Sequence, residues 1–457
     1  MSCAPIILLS RVAVLMAAAR PLALHPDNPR YLLFRGKPAV LITSGEHYGA
    51  VLNLDFDYRR YLDELARWGF NLTRTFSGVY HEVQTSFGIE ENTLAPAEGR
   101  WICPWARSDQ SGAADGGNKF DLTRWNSAYF RRLKDFVREA ARRGIVVELV
   151  LFCVFYDDVL WDRCPMKAAN NVNGVGNVGR MEVYSLKEAA LTDVQETLVR
   201  KIAAELAGFD NVYYELCNEP YFGGVTREWN QRMARAIQDT EARLGVRHLI
   251  AENIANNQAQ VTDPLAEVSI LNFHYATPEA VTLNYGLGRA IADDETGFKG
   301  PEDEPYRREA WEFMLSGGAI YSHLDYSFSV SHPDGTKPVG KSPGGGGPSI
   351  RRQLAILKKF LESFDFLRLK PDRDCVRAAQ GQVFVLADKG RQYAIYLRSD
   401  GQAEIELRLP RGHYVAEWVD TKSGQVTHRQ TFAHGEGDRK LAPLTFDGEA
   451  ALRLKAG

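Results

Sequence analysis

The sequence predicts an α/β chain, a (β/α)8 TIM barrel followed by a small C-terminal β-sandwich. Three observations carry this expectation. Short apolar segments alternate with amphipathic stretches from about residue 39 to residue 325. Three long, aromatic-bearing segments each follow an apolar one, as loops over one face of a barrel do. Beyond residue 370 the helical period disappears and short alternating strands take its place.

Residues 39–43 read as the first buried strand. Asp57 then opens a helix carrying Tyr58, Tyr61, Leu62, Leu65 and Trp68 at helical spacing, and Gly69 closes it. Residues 70–74 form the second strand. A helix over 126–143 stops at Gly144 and leads into an apolar third strand, 145–152. Helix 186–207 precedes the fourth strand at 212–216, and helix 227–244 the fifth at 248–251. Strands at 268–273, 289–292 and 319–324 follow, and helix 350–364 closes the set. Eight strands, each followed by helical material, suit a closed parallel barrel. An open doubly wound sheet would carry a glycine-rich phosphate turn after its first strand, and Ser44-Gly45-Glu46-His47-Tyr48-Gly49 is not one.

The long loops span 77–124, 156–185 and 326–349, the last holding the glycine run 344–347. They carry Tyr80, Trp101, Trp105, Tyr156, Trp161 and Tyr326, aromatic rings suited either to stacking on sugars or to pinning a loop onto the barrel. Strands are expected at 376–379, 382–387, 393–398, 403–409, 414–419 and 444–454, separated by turns such as Gln380-Gly381 and Lys389-Gly390. The expected units are therefore 1–24, a signal peptide or N-terminal extension; 25–368, the barrel; and 369–457, the sandwich.

The 457 residues are 45% hydrophobic and 25% charged, with a formal net charge of −3 and no basic run. That balance argues against a nucleic-acid or anionic-membrane partner, either of which would want a cationic face. Six scattered cysteines show no zinc-type spacing and no disulfide framework, although Cys103 and Cys164 lie on two loops that could meet. Arg11 precedes an apolar run, 12–19, too short to span a bilayer. Read as a secretory signal, it places the mature chain in a secreted or periplasmic setting; read as an N-terminal extension, it leaves the chain cytoplasmic.

The sharpest chemical signal is Tyr213-Tyr214-Glu215-Leu216-Cys217-Asn218-Glu219-Pro220, an apolar strand ending in Asn-Glu-Pro. A carboxyl at the C-terminal end of a barrel strand faces the site, whereas a solvated one would normally sit on a helix. Glycoside cleavage needs a proton donor for the leaving oxygen and, in retaining enzymes, a second carboxylate as nucleophile. Ile291-Ala292-Asp293-Asp294-Glu295-Thr296-Gly297 offers that second carboxylate at the end of the seventh strand, three βα units further on.

Over roughly residues 39–365 this arrangement resembles glycoside hydrolase clan A, and family 5 with its cellulase-like relatives in particular. The resemblance implies a retaining β-glycosidase acting on an oligo- or polysaccharide, with Glu219 as acid/base and Glu295 as nucleophile. It further implies that Asn218 binds the substrate 2-hydroxyl, that Arg74 supports Glu295, and that His274 and Tyr275 line the glycone subsite. Two features depart from the family. His274 and Tyr275 are adjacent where His-x-Tyr is usual, so only one is expected to point fully inward, with Tyr275 touching the nucleophile. The usual tryptophan after strand eight is replaced by Ile320-Tyr321-Ser322-His323-Leu324-Asp325-Tyr326, which alters the sugar platform and brings Tyr326 forward as a substrate contact. The C-terminal sandwich resembles a module, labelled collagen-binding, found behind similar barrels.

Blander readings stand beside these. Asp293 and Asp294 rival Glu295, Arg74 could be a buried salt-bridge partner, and His47 and Glu46 could pin a loop as well as bind substrate. Glu215 is expected deeper in the barrel, bonded to a neighbouring strand. A transglycosylase would use the same two carboxylates, and a non-catalytic carbohydrate-binding or adhesion protein would need neither. No metal or organic cofactor is implied.

Overall fold

The computed structural model describes residues 20–399, 402–446 and 448–457. The apolar run expected as a signal, and Cys3 with it, lie outside these residues. Eight parallel strands form the barrel: β1 (Leu41–Gly45), β2 (Leu72–Phe76), β3 (Val146–Cys153), β4 (Val212–Asn218), β5 (Ile250–Asn256), β6 (Ile270–His274), β7 (Ala290–Thr296) and β8 (Ile320–Leu324). Ladders run without interruption from β2 through β8 and on to β1. The remaining seam, between β1 and β2, is bridged by a side chain. Asn71 donates to the Val40 carbonyl (2.8 Å) and accepts from the Ile42 amide (3.0 Å), supplying the bonds a ladder would make.

Seven main helices coat this sheet: α1 (Tyr58–Trp68), α2 (Ser127–Arg142), α3 (Ala189–Leu206), α4 (Arg227–Leu244), α5 (Pro278–Asn284), α6 (Asp303–Met314) and α7 (Pro348–Glu362). Helix α1 begins where Asp57 accepts the amides of Arg59 and Arg60, and ends at Gly69 with φ of 79°. Thr226 and Gly245 bound α4 in the same way. The expectation of a helix after every strand fails once. β5 runs through a helix-free turn at 257–269 into β6, and Asn284 covers that turn by accepting the Val261 amide and donating to the Ala259 carbonyl.

Every barrel strand except β5 is buried throughout, but their interior is not wholly apolar. Arg74 on β2, Glu148 on β3, Glu215 on β4, Asn272 on β6 and Asp294 on β7 are all 2% exposed or less and form a polar floor beneath the barrel mouth. The glycine run 344–347 packs where side chains cannot go, since a Cβ on Gly344 would sit 1.7 Å from the Gly297 carbonyl oxygen. It thereby clamps the β8 loop against the end of β7.

Behind the barrel, Lys370–Pro371, Gln382–Asp388, Gln392–Arg398, Glu449–Ala456, Gly412–Val419 and Val426–His434 form a six-stranded sheet in that spatial order. Val376–Ala379, Gln402–Leu409 and Gly437–Thr445 form a three-stranded one. Two expectations are corrected here. The segment expected as one strand at 444–454 is two, turning near Gly448, and Val426–His434 is a strand whose polar composition hid it. Strand Gln392–Arg398 is buried on both faces. Tyr393, Ile395 and Leu397 enter the sandwich core, while Ala394 and Tyr396 enter the barrel's. Tyr396 stacks on Trp311 of α6, and Glu449 pairs with Arg307 and Arg308 of the same helix.

The five described cysteines are all free and buried. Cys103 and Cys164 are therefore not bridged. Each thiol instead faces a backbone carbonyl, of Trp105 and Val79 respectively. Among the described residues no helix is long and apolar enough to cross a membrane.

Candidate active site

Glu219 and Glu295 meet at the mouth of the barrel. One carboxylate oxygen of each, together with a ring nitrogen of His274, lie within 4.8 Å of one another. Glu219 follows the last residue of β4 with φ of 47° and ψ of 51°, a left-handed conformation that turns its side chain across the mouth. Tyr156 donates to its Oε2 at 2.5 Å, and His274 Nδ1 lies 3.2 Å from its Oε1. Glu295 is held from two sides, by Arg74 Nη1 (3.1 Å to Oε2) and by the Tyr275 hydroxyl (3.0 Å to Oε1).

His274 and Tyr275 both point inward, contrary to the expectation that only one could. A register shift between β6 and β7 after Phe273 sets His274 opposite Glu295, and Tyr275 then takes φ of 51°. The left-handed residue breaks the two-residue alternation that would have turned one ring away. Tyr48 (φ 58°) and Phe87 (φ 54°) line the same cavity, so four of the eight described non-glycine residues with positive φ surround one pocket. Each such conformation costs about 1–3 kcal/mol, and such residues gather where function constrains the backbone.

The rivals of Glu295 are placed elsewhere. Asp293 is buried, its carboxyl raised well above the usual range by burial and then by Glu309 of α6. Asp294 lies in the floor, where its Oδ2 accepts from Asn272 at 2.6 Å and sits 3.4 Å from Arg74 Nε. Arg74 is the single guanidinium among Glu148, Glu215, Asp294 and Glu295, with nearest approaches of 3.8, 2.8, 3.4 and 3.1 Å. Arg74 cannot pair equally with four buried carboxylates, and burial penalises the charge of those it serves least. Glu215, bound in two places by Arg74 Nη2, stays below the usual range although burial opposes this. Burial pushes Glu148 up to about 8 and Asp294 well above its ordinary value, both against the pull of Arg74. Asp294 is thus biased by burial toward its protonated form, and its place in the floor keeps it out of the cavity that Glu295 lines. Oxygens of Glu148, Glu215 and Asp294 lie close enough to hold an ion, but the Arg74 guanidinium already supplies the positive charge there.

Arg74 is thus both a salt-bridge partner and a support for Glu295. It also donates to Asn218 Oδ1 at 2.6 Å, leaving the Asn218 amide to bond Tyr156 at 2.9 Å. His47 faces Glu82, with Nε2 to Oε2 at 3.3 Å, and Glu46 instead caps its own loop through the amides of Gly49 and Ala50. Tyr326 packs its ring 6.2 Å from both His47 and Phe298. The structure thus brings all eight expected site residues to one end of the barrel.

Sequence reasoning missed Glu82, Phe87 and Phe298. Phe87 and Phe298 stand 6.4 Å apart, edge to face, at the entrance, and both are partly exposed. No local motif marks them, because they lie in loops whose course the strand pattern does not fix. Tyr156 carried a signal, an aromatic just past the third strand, but nothing separated it from Trp105 and Trp161, which prove to be fully buried pins.

Burial lowers the proton affinity of His274, yet Glu295, Asp294 and Glu219 together raise its pKa to about 9. Glu219 is the counterpart. Burial raises its pKa, but the hydrogen bond and charge of His274 outweigh that and hold it below the usual range. The arrangement can therefore carry one transferable proton between two groups beside a second, ionisable carboxylate.

Several solved structures share this architecture. A candidate glycoside hydrolase from Bacteroides vulgatus ATCC 8482 superposes with a TM-score of 0.68 at 15% identity, over 96% of this chain and 82% of its own. A family 5 glycoside hydrolase from the same organism gives 0.62 at 12% identity, over 95% and 93%. The chain has the fold of family 5 glycoside hydrolases. Because the alignments cover nearly the whole chain, the likeness includes the C-terminal sheets as well as the barrel. A third structure, described simply as a glycoside hydrolase, gives 0.65 at 13% identity over 96% and 97%. Residues 98–184, the later part of the β2 loop and most of the β3 loop with the helix and strand between them, match the model of a domain of unknown function, DUF6298. No curated protein matches the sequence.

Proposed function

We propose that this chain is a retaining glycosidase that cleaves β-glycosidic bonds of an oligo- or polysaccharide by double displacement. The observation that carries the reading is the closeness of Glu219 and Glu295, whose carboxylate oxygens lie within 4.8 Å. Inverting enzymes separate their carboxyls by about 6.5–9.5 Å to admit a water, and retaining ones by about 5–5.5 Å. β-Linked substrates follow from the resemblance to family 5.

In this reading Glu295, aimed by Arg74 and Tyr275, attacks the anomeric carbon, and the bond to the leaving oxygen breaks. Glu219 delivers the proton to that oxygen. In the resting site the proton sits on His274, 3.2 Å from Glu219. As the charge of Glu295 passes into the new covalent bond, His274 loses a main source of its raised affinity and releases the proton to Glu219. In the second half, deprotonated Glu219 draws a proton from the incoming water, whose oxygen displaces Glu295.

Purified protein assayed on a panel of aryl β-glycosides and plant and microbial polysaccharides tests this reading. At least one substrate should be hydrolysed, and Glu295→Gln should abolish the activity. Hydrolysis unaffected by that substitution would sink the assignment.

A further inference from the structure

The cavity over the two carboxylates is small, about 60 Å³, well below ordinary small-ligand sites, which run from roughly 300 to 1,000 Å³. Its direction follows from the chemistry. Glu219 must reach the leaving oxygen, so the leaving group extends past Glu219 toward Tyr221 and Phe222, which are exposed. The glycone then fills the opposite side, against His47 and Glu82.

That opposite side is walled off. Three loops are tied together there. Thr93 Oγ1, from the β2 loop, lies 2.5 Å from Glu46 Oε2 and 2.8 Å from the His47 carbonyl of the β1 loop. Asn53 donates to the Thr93 carbonyl at 3.0 Å. The approach is so close that a Cβ on Gly49 would lie 2.1 Å from the Thr93 carbonyl oxygen. The β8 loop locks the outer side, through Ser331 on Glu91 and Ser342 on the Glu90 amide.

Inside this wall stands Glu82, 4% exposed. Its Oε2 takes the Asn92 amide at 2.5 Å and faces His47 at 3.3 Å, while Oε1 has the Tyr80 hydroxyl at 3.2 Å. A carboxylate offers about four acceptor positions, so capacity remains on the face that lines the cavity. The double-displacement reading leaves this buried pair without a task.

We propose that the site removes single sugar units from the non-reducing end of its substrate, with Glu82, held by His47 and Asn92, binding the hydroxyls at the far end of the glycone ring. The inference rests on the retaining-glycosidase reading. A sugar chain continuing beyond the glycone would have to pass through the joined backbones of the β1 and β2 loops.

The test uses the intact wild-type protein first. Borohydride-reduced β-linked oligosaccharides of four to six units, drawn from the polysaccharides found active, are digested and the earliest products sized. Monosaccharide alone is expected as the first free product. Glu82→Gln should lower kcat/KM on the best aryl β-monoglycoside about ten- to a hundredfold, the range for losing a bond to a charged acceptor. The 4-deoxy and 6-deoxy forms of that glycoside supply a readout that a general structural defect would not produce. Wild type should lose rate on at least one of them, and Glu82→Gln should lose little further. Oligosaccharides among the earliest products, with activity still dependent on Glu295, overturn this inference and leave the reading beneath it standing. Absence of any Glu295-dependent hydrolysis overturns both.

Discussion

Tyr275 donates its hydroxyl to Glu295 Oε1 at 3.0 Å from a backbone with φ of 51°. A single left-handed residue thus places two successive side chains, His274 and Tyr275, on Glu219 and Glu295. The consequences of that placement are open to experiment.

Replacing Tyr275 by Phe removes one donor from Glu295, the proposed nucleophile, and leaves the ring in place. A hydrogen bond to a charged group is worth about 1.5–3 kcal/mol. The expected result is a fall in kcat of about ten- to a hundredfold on a fixed aryl glycoside, with little change in Tm. Steady-state kinetics with a thermal melt on the same sample checks both.

Glu219→Ala should separate substrates by leaving group. General acid help is worth ~10²–10⁴-fold where the leaving group cannot depart unaided. Loss of that size is expected on unactivated oligosaccharides, with much smaller loss on dinitrophenyl glycosides. Equal loss on both would mean that Glu219 shapes the site rather than protonating the leaving oxygen.

His274 gives a pH signature in stability. Its pKa is raised to about 9, because Glu295, Asp294 and Glu219 outweigh burial, against about 6.5 in an unfolded chain. A group whose folded value is raised contributes stability that is complete below the unfolded value and is lost as pH climbs through the folded one. Urea midpoints of wild type should therefore fall between about pH 6.5 and 9, and those of His274→Gln should fall less over that window. Parallel curves would place the proton elsewhere.

The barrel and the C-terminal sheets share a core, which bears on truncation. Ending the chain at Asp372 would uncover Trp311, now stacked on Tyr396 at 5.5 Å, and strip Glu449 from Arg307 and Arg308. The shortened chain should be poorly soluble or melt well below the full one. A soluble truncation with unchanged Tm would show the sheets to be dispensable to the barrel.

Most of the barrel was legible because its signals are local. The strand hydrophobicity, the Asp57 cap and the Gly69 and Gly245 stops each act within a few residues. The same holds for Glu219 and Glu295, which sit at strand ends whose direction the fold dictates. What escaped was set by distant contacts. The paired inward turn of His274 and Tyr275 depends on a register shift against β7. The polar floor depends on four carboxylates from three strands converging on Arg74. Glu82 acquires its place only when the loops after β1, β2 and β8 lock together. Strand Val426–His434 was hidden by its half-exposed, polar alternation.

The central claim is that Glu295 attacks the sugar and Glu219 assists from 4.8 Å or less. Proton NMR of the first-formed product, recorded before mutarotation, tests it most directly when paired with labelling by a 2-deoxy-2-fluoro β-glycoside and peptide mass mapping. The account predicts a product of retained configuration and a label on Glu295. An inverted product, or a label on Asp294, would contradict it.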